Sequence, residues 1–244
     1  MDPTTKPNLT TNDSAIVESL KARELAIIRT LQPSSESSAP SLPAIQQALD
    51  DLSALITEYP TYPSAYANRA QTLRLFIDST TSSVSSPENN GAGNGEEDPL
   101  FFPQNTSQSS TLLSDLGQAI SLATPRSPAD PISDVQARLL SDVHTHRGYL
   151  LLKAARVRKE MMKKDGAGVE VEMEVEAAGP TQLRRLSSDQ LEDMASRDFF
   201  FGGRYGNKVA QQLAVQTNPY AKMCGAIVKE ALRKEVVVEQ VVKF

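Results

Sequence analysis

Apolar residues recur at three- and four-residue steps along most of this chain, the period of a helix that buries one face against a neighbour. Ile45, Leu49, Leu52, Leu55 and Ile56 form one such stripe, with Pro43 in the first turn and Pro60 just past the end. Leu112, Leu116, Ala119 and Ile120 form another. The spacing predicts further helices over 15–31, 63–77, 132–162, 190–201, 208–217 and 218–242. Val169 to Glu176 alternates with period two instead. Without a second strand-like run to pair with it, that stretch reads as flexible or as a helix extension. The expected fold class is all-α.

Three stretches interrupt the helical pattern, at about 32–43, 79–110 and 163–188. The first is rich in Ser and Pro, the second runs through a Gly- and Asn-rich segment, and all three hold too few large apolar residues to offset the entropy of ordering them. Residues 1–13 are polar and read as a flexible N-terminus, leaving 14–244 as a single domain carrying these inserts.

Charge narrows the partners. Across 244 residues, 25 Lys and Arg face 30 Asp and Glu, for a net charge of -5 and a pI near 5.2. Nucleic-acid binding is driven by basic clusters that displace counterions, so neither a nucleic acid nor an anionic membrane is expected. No apolar stretch approaches the roughly 20 residues that a bilayer requires, and Met1 to Thr11 lacks an apolar signal core. The cytoplasm is the expected compartment, with the nucleus as an alternative. One cysteine, Cys224, makes no internal disulfide and no cysteine cluster for zinc. No cofactor is expected.

The helical stretches also repeat. Ala48-x3-Leu52 followed by Pro60, then Tyr66-x2-Arg69-Ala70-x2-Leu73, matches the tetratricopeptide pattern where one helix pair ends and the next begins. Small residues at Ala48 and Ala70 let helices approach, Leu52, Tyr66 and Leu73 fill the space between them, and Pro60 stops the helix. His144-x2-Arg147-Gly148-x2-Leu151 repeats the first-helix half, and Ala195-x3-Phe199 the second. Tyr66 to His144 spans 78 residues, against roughly 34 for one repeat. The excess falls in the Gly, Asn, Pro and Ser-rich stretches, and long loops add little closure entropy.

With Asn218-Pro219-Tyr220-Ala221-x2-Cys224, Ser196-Arg197-Asp198-Phe199, Ser64-Ala65-Tyr66-x-Asn68-Arg69-Ala70-Gln71 and the opening Leu9-x2-Asn12-Asp13-x-Ala15-Ile16-Val17, the chain resembles the tetratricopeptide repeat protein 36 family, in a fungal-type form with long inserts. It departs by placing bulky Ile27 where a small residue is usual. The resemblance implies three irregular tetratricopeptide repeats in a helical array with C-terminal capping helices. It also implies a non-enzymatic adaptor associated with a heat-shock chaperone, with a link in the animal branch to tyrosine metabolism; the chain itself is expected to be a monomer. Such an array binds a peptide or partner helix in a groove, for which the candidate residues are Tyr66, Asn68, Arg69, Arg147 and Tyr220. The rival readings are a structural scaffold and a small-molecule enzyme with an unrecognised pocket.

Asn68 falls where chaperone-binding members grip a C-terminal carboxylate. The other clamp places carry Glu24, Ile28, Asp142 and His146 rather than cations. That set is wrong for a dicarboxylate, and helix packing is the alternative role for Asn68 and Arg69. His144-x-His146 has strand-type ligand spacing, but on a helix the two point about 200° apart; His144 is expected in the core and His146 in solvent. Cys224 is expected to be a buried small hydrophobe. Gly202-Gly203-Arg204-Tyr205-Gly206 reads as a turn between helices, lacking the Lys-Ser/Thr of a phosphate loop. Arg184-Arg185-Leu186-Ser187 suits a basophilic kinase, making Ser187 a candidate phosphorylation site.

Overall fold

The computed structural model describes residues 14–32, 39–82, 98–127, 129–164, 179–218, 224–225, 227–230 and 233. Its α-helices are, in order, α1 (Ser14–Thr30), α2 (Leu42–Glu58), α3 (Pro63–Ser82), α4 (Thr106–Ala123), α5 (Asp134–Lys164), α6 (Ser188–Arg204) and α7 (Lys208–Thr217). Short 3-10 turns occupy Pro99–Phe101, Pro103–Asn105 and Thr181–Leu183. No strand occurs among the described residues, so the chain is all-α there. No described helix is long and apolar enough to cross a membrane. The alternating Val169 to Glu176 run and Tyr220 lie outside the described residues.

Local chemistry explains the helix ends. Ser41 precedes α2 and its side chain accepts from the Ala44 amide, while Pro43 lies in the first turn. At the other end Tyr59, preceding Pro60, leaves helical geometry with φ -130° and ψ 72°. Between them Ile45, Ala48, Leu49, Leu52, Leu55 and Ile56 are all buried, as their spacing predicts. α6 opens with a reciprocal cap. The Ser187 Oγ accepts from the Gln190 amide at 3.2 Å, and the Gln190 side chain accepts from the Ser187 amide at 2.8 Å. Asn207 caps α7 by accepting from the Ala210 amide at 3.0 Å.

Each helix packs chiefly on its neighbours in sequence, from α1 on α2 through to α6 on α7, and α5 against α6 is the most extensive contact. Ala48, Ala70 and Ala195, the small residues expected at close helix contacts, are fully buried. A main core runs from α2 to α7, and a smaller one joins Leu20, Leu55, Ile56, Tyr62 and Ala65 beneath α1.

Three expectations need correction. Composition places residues 98–110 in an insert, yet Leu100 and Phe101 are core residues and α4 already begins at Thr106. The tail of the third insert is likewise built in: Leu183 is buried and Gly179, at φ 98°, packs under the Phe101 ring. Gly202 and Gly203 are not in a turn but inside α6. A Cβ on Gly202 would lie 2.6 Å from the Thr145 Oγ1, and one on Gly203 would lie 2.6 Å from the Gln211 Cγ. These glycines let α6 touch α5 and α7, and only Gly206, at φ 113°, makes the turn.

Candidate functional site

Four of the residues selected from the sequence lie on the two long first helices of successive pairs, and each is engaged inside the fold. On α3, the Arg69 Nε and one terminal nitrogen donate to the two carboxylate oxygens of Asp115 on α4, both at 2.7 Å. The other terminal nitrogen donates to the Ser53 Oγ of α2 at 3.2 Å, and the guanidinium carbon lies 5.9 Å from the Tyr66 ring centroid. One side chain thereby ties three consecutive helices together. The bond with Asp115 raises the already high guanidinium pKa against the opposing effect of burial.

On α5, Arg147 repeats the fork. Its Nε and a terminal nitrogen donate to the two oxygens of Asp198 on α6, again both at 2.7 Å. Asp198 also accepts from the His144 Nδ1 at 2.8 Å, in the tautomer that a carboxylate selects. His144 is buried, as expected, and stacks on Phe201 with centroids 5.3 Å apart. Both aspartates immediately precede the large apolar residue of their helix, Leu116 or Phe199, so the two centres match place for place.

Asn68 is occupied too. Its amide donates to one oxygen of Glu24 on α1 at 2.5 Å, and the Tyr62 hydroxyl donates to the other at 2.8 Å. Burial, helped by the Glu24 charge, pushes the Tyr62 phenol far above its ordinary pKa, so it remains a donor. Both oxygens of Glu24 are thereby occupied, and the Asn68 amide is held by a carboxylate of the chain itself. Tyr66 directs its hydroxyl to the Pro60 carbonyl at 3.0 Å. Contact between a partner and Asn68, Arg69 or Arg147 would compete with bonds that join helices, and contact with the Tyr66 hydroxyl would compete with its bond to the α2–α3 connection.

The remaining candidates fall elsewhere. His146, expected in solvent, is half-buried, and burial together with the Arg74 charge lowers its pKa. Asp142 lines an open cleft of about 480 Å³ with Asp134, Arg138, Tyr205 and Asn207. Desolvation raises its carboxyl against the pull of Arg138. Cys224, expected to be buried, is exposed. Among the described residues no group of three or more His, Cys, Asp or Glu could hold a metal ion. Sequence reasoning missed Asp98, which joins Arg74 of α3 to Lys153 of α5. It also missed Asp115, whose signal was the recurrence of an aspartate next to the large apolar residue.

The chain is 63% identical over 219 residues to the L-tyrosine degradation gene cluster protein hmgX of Aspergillus fumigatus, a match covering 90% of this chain and 77% of that protein. No established family profile matches the chain. No solved structure matches it.

Proposed function

The chain belongs to the family of the L-tyrosine degradation gene cluster protein hmgX, and on that premise we propose that it serves tyrosine degradation as a non-enzymatic helical adaptor of tetratricopeptide type. The observation that carries this reading is the paired ion-pair centre. Arg69 with Asp115 and Arg147 with Asp198 occupy matched places in successive helix pairs, as in an array built from one repeated unit. Neighbour-on-neighbour packing fits the same plan. An acidic C-terminal chaperone tail is not the favoured ligand, because Glu24 already takes Asn68 and Tyr62.

Cells lacking the protein should consume tyrosine more slowly while the degradative enzymes remain at their normal abundance, and the purified chain should leave tyrosine and its breakdown intermediates unchanged. Turnover of any of these by the pure protein would replace the adaptor with an enzyme. Normal tyrosine consumption in the deletion would remove the link to the pathway.

A further inference from the structure

The arginines that hold the helix pairs together are committed to carboxylates or carbonyls, whereas Arg184 and Arg185 are exposed and bear no ion pair among the described residues. They lie in residues 179–187, a strap fastened to α4 and α5 that runs into α6. The strap is fastened by the Thr181 amide to the Ser110 Oγ of α4 at 2.9 Å and by Arg158 of α5, which donates to the carbonyl oxygens of Leu183 and Arg184 at 3.3 and 3.1 Å. All these fastenings use backbone, Thr181, Gln182 or the buried Leu183 side chain, leaving both arginine heads in water. The strap ends at Ser187, which is exposed. Its Oγ accepts from the Gln190 amide and donates to nothing among the described residues. The next serine, Ser188, is buried.

We propose that Ser187 is a phosphorylation site for a basophilic serine/threonine kinase that reads Arg184 and Arg185, and that the phosphate fastens the strap to the start of α6. In the transfer, the Ser187 Oγ bonds to the γ-phosphorus of ATP and the bond from that phosphorus to the β–γ bridging oxygen breaks. ADP leaves with the electron pair, and the hydroxyl proton passes to the kinase's carboxylate base. A kinase takes its substrate extended, so the Ser187 cap must open first, a local event at a helix end that leaves the core intact. Once made, the phosphate stands at the first turn of α6 beside two uncommitted guanidinium groups, a setting that gives new charge-assisted hydrogen bonds. Opposing charge comes from Asp189 in that first turn and from Glu192, whose carboxylate is already paired with Lys159 at 2.6 Å.

The test uses the full chain, ATP and the catalytic subunit of the cAMP-dependent kinase, a probe enzyme of this class. One phosphate is expected by intact mass, placed on Ser187 and not on Ser188 by fragmentation. It should be absent from Ser187→Asn, which keeps a capping side chain but has no hydroxyl. In Arg184→Gln/Arg185→Gln the rate should fall on the order of tenfold or more, the worth of one charge-assisted bond. Trypsin should also cut the phosphorylated protein after Arg184 and Arg185 more slowly than the unmodified one. Incorporation that persists in Ser187→Asn, or no incorporation into the folded chain while a peptide of residues 181–192 is modified, would overturn the proposal.

Discussion

The α3/α4 pair and the α5/α6 pair are built around the same device in different surroundings. In the first, the buried Asp115 takes both prongs of Arg69, and the arginine's spare nitrogen goes outward to Ser53 on the preceding helix. In the second, Arg147 makes the same fork and the additional donor, His144, arrives at the carboxylate instead. The first centre therefore spreads its bonds over three helices, and the second concentrates them on one aspartate between two. The residue that lets the helices approach differs in step. Ala70 suffices on α3, whereas α5 uses Gly148, over which the Phe199 ring lies so closely that a Cβ would come within 2.9 Å of it. A buried carboxylate is tolerable only when its lone pairs are met. The two pairs reach that condition by different routes, and they should fail differently.

The largest effect is expected from removing the aspartate itself. Asp198→Ala strands Arg147 and buried His144 together, and loss of one partner from a buried ion pair costs about 3 to 5 kcal/mol. Asp115→Ala strands Arg69 alone, which keeps Ser53, and should fall at or below about 3 kcal/mol. Urea unfolding of both variants checks the order. Equal losses, or a larger one for Asp115→Ala, would show that His144 adds nothing to the second centre.

Next comes the spacing residue. Gly148→Ala gains helix propensity of about 1 kcal/mol but drives a methyl into the fully buried Phe199 ring, and overpacking of this kind costs about 1 to 3 kcal/mol. The net should be destabilising. Ala70→Gly, the reverse exchange, only loses propensity and contacts and should cost about 1 kcal/mol. Melting midpoints that rise in Gly148→Ala would mean that Phe199 can move and that the two pairs are packed to the same tolerance. A variant on α1, Glu24→Ala, leaves Tyr62 and Asn68 without their acceptor and should cost about 1 to 3 kcal/mol.

Much of this frame is legible in the amino-acid pattern alone. The 208–217 helix lies where the period places it, and α5 at Asp134–Lys164 is displaced by two residues from the expected 132–162. Arg69 and Arg147 stand out because they repeat. Their role does not, because an arginine at helical spacing can face either solvent or a buried carboxylate, and the carboxylate lies 46 or 51 residues further along the chain. The edges of the inserts are hidden for a compositional reason. Leu100 and Phe101 follow closely on a Gly- and Asn-rich run, and a composition averaged over 79–110 conceals an Asp98-Pro99 cap followed by three apolar residues. Burial of Leu183 is masked in the same way by the polar residues around it.

The smallest effect should come from what joins the two pairs. Asp98 accepts from Arg74 of α3 and Lys153 of α5, and its Oδ1 takes the Leu100 amide at 3.0 Å. Burial alone would raise the carboxyl, but the bonds from Lys153, Leu100 and Arg74 outweigh it and hold its pKa below the ordinary value of 3.8. A carboxyl whose folded pKa is depressed releases its proton more readily in the folded state. Its stabilisation is therefore complete above the unfolded pKa and is lost as pH falls through the folded one. Lys153 is 46% exposed, so solvent screens the pair and Asp98→Asn should cost only about 1 kcal/mol at neutral pH. The difference in melting midpoint between wild type and Asp98→Asn should hold from about pH 7 to pH 5 and then close as the wild-type carboxyl protonates below about pH 4. A difference that stays constant into acid would mean that Asp98 joins the pairs by shape and hydrogen bonding, with no contribution from its charge.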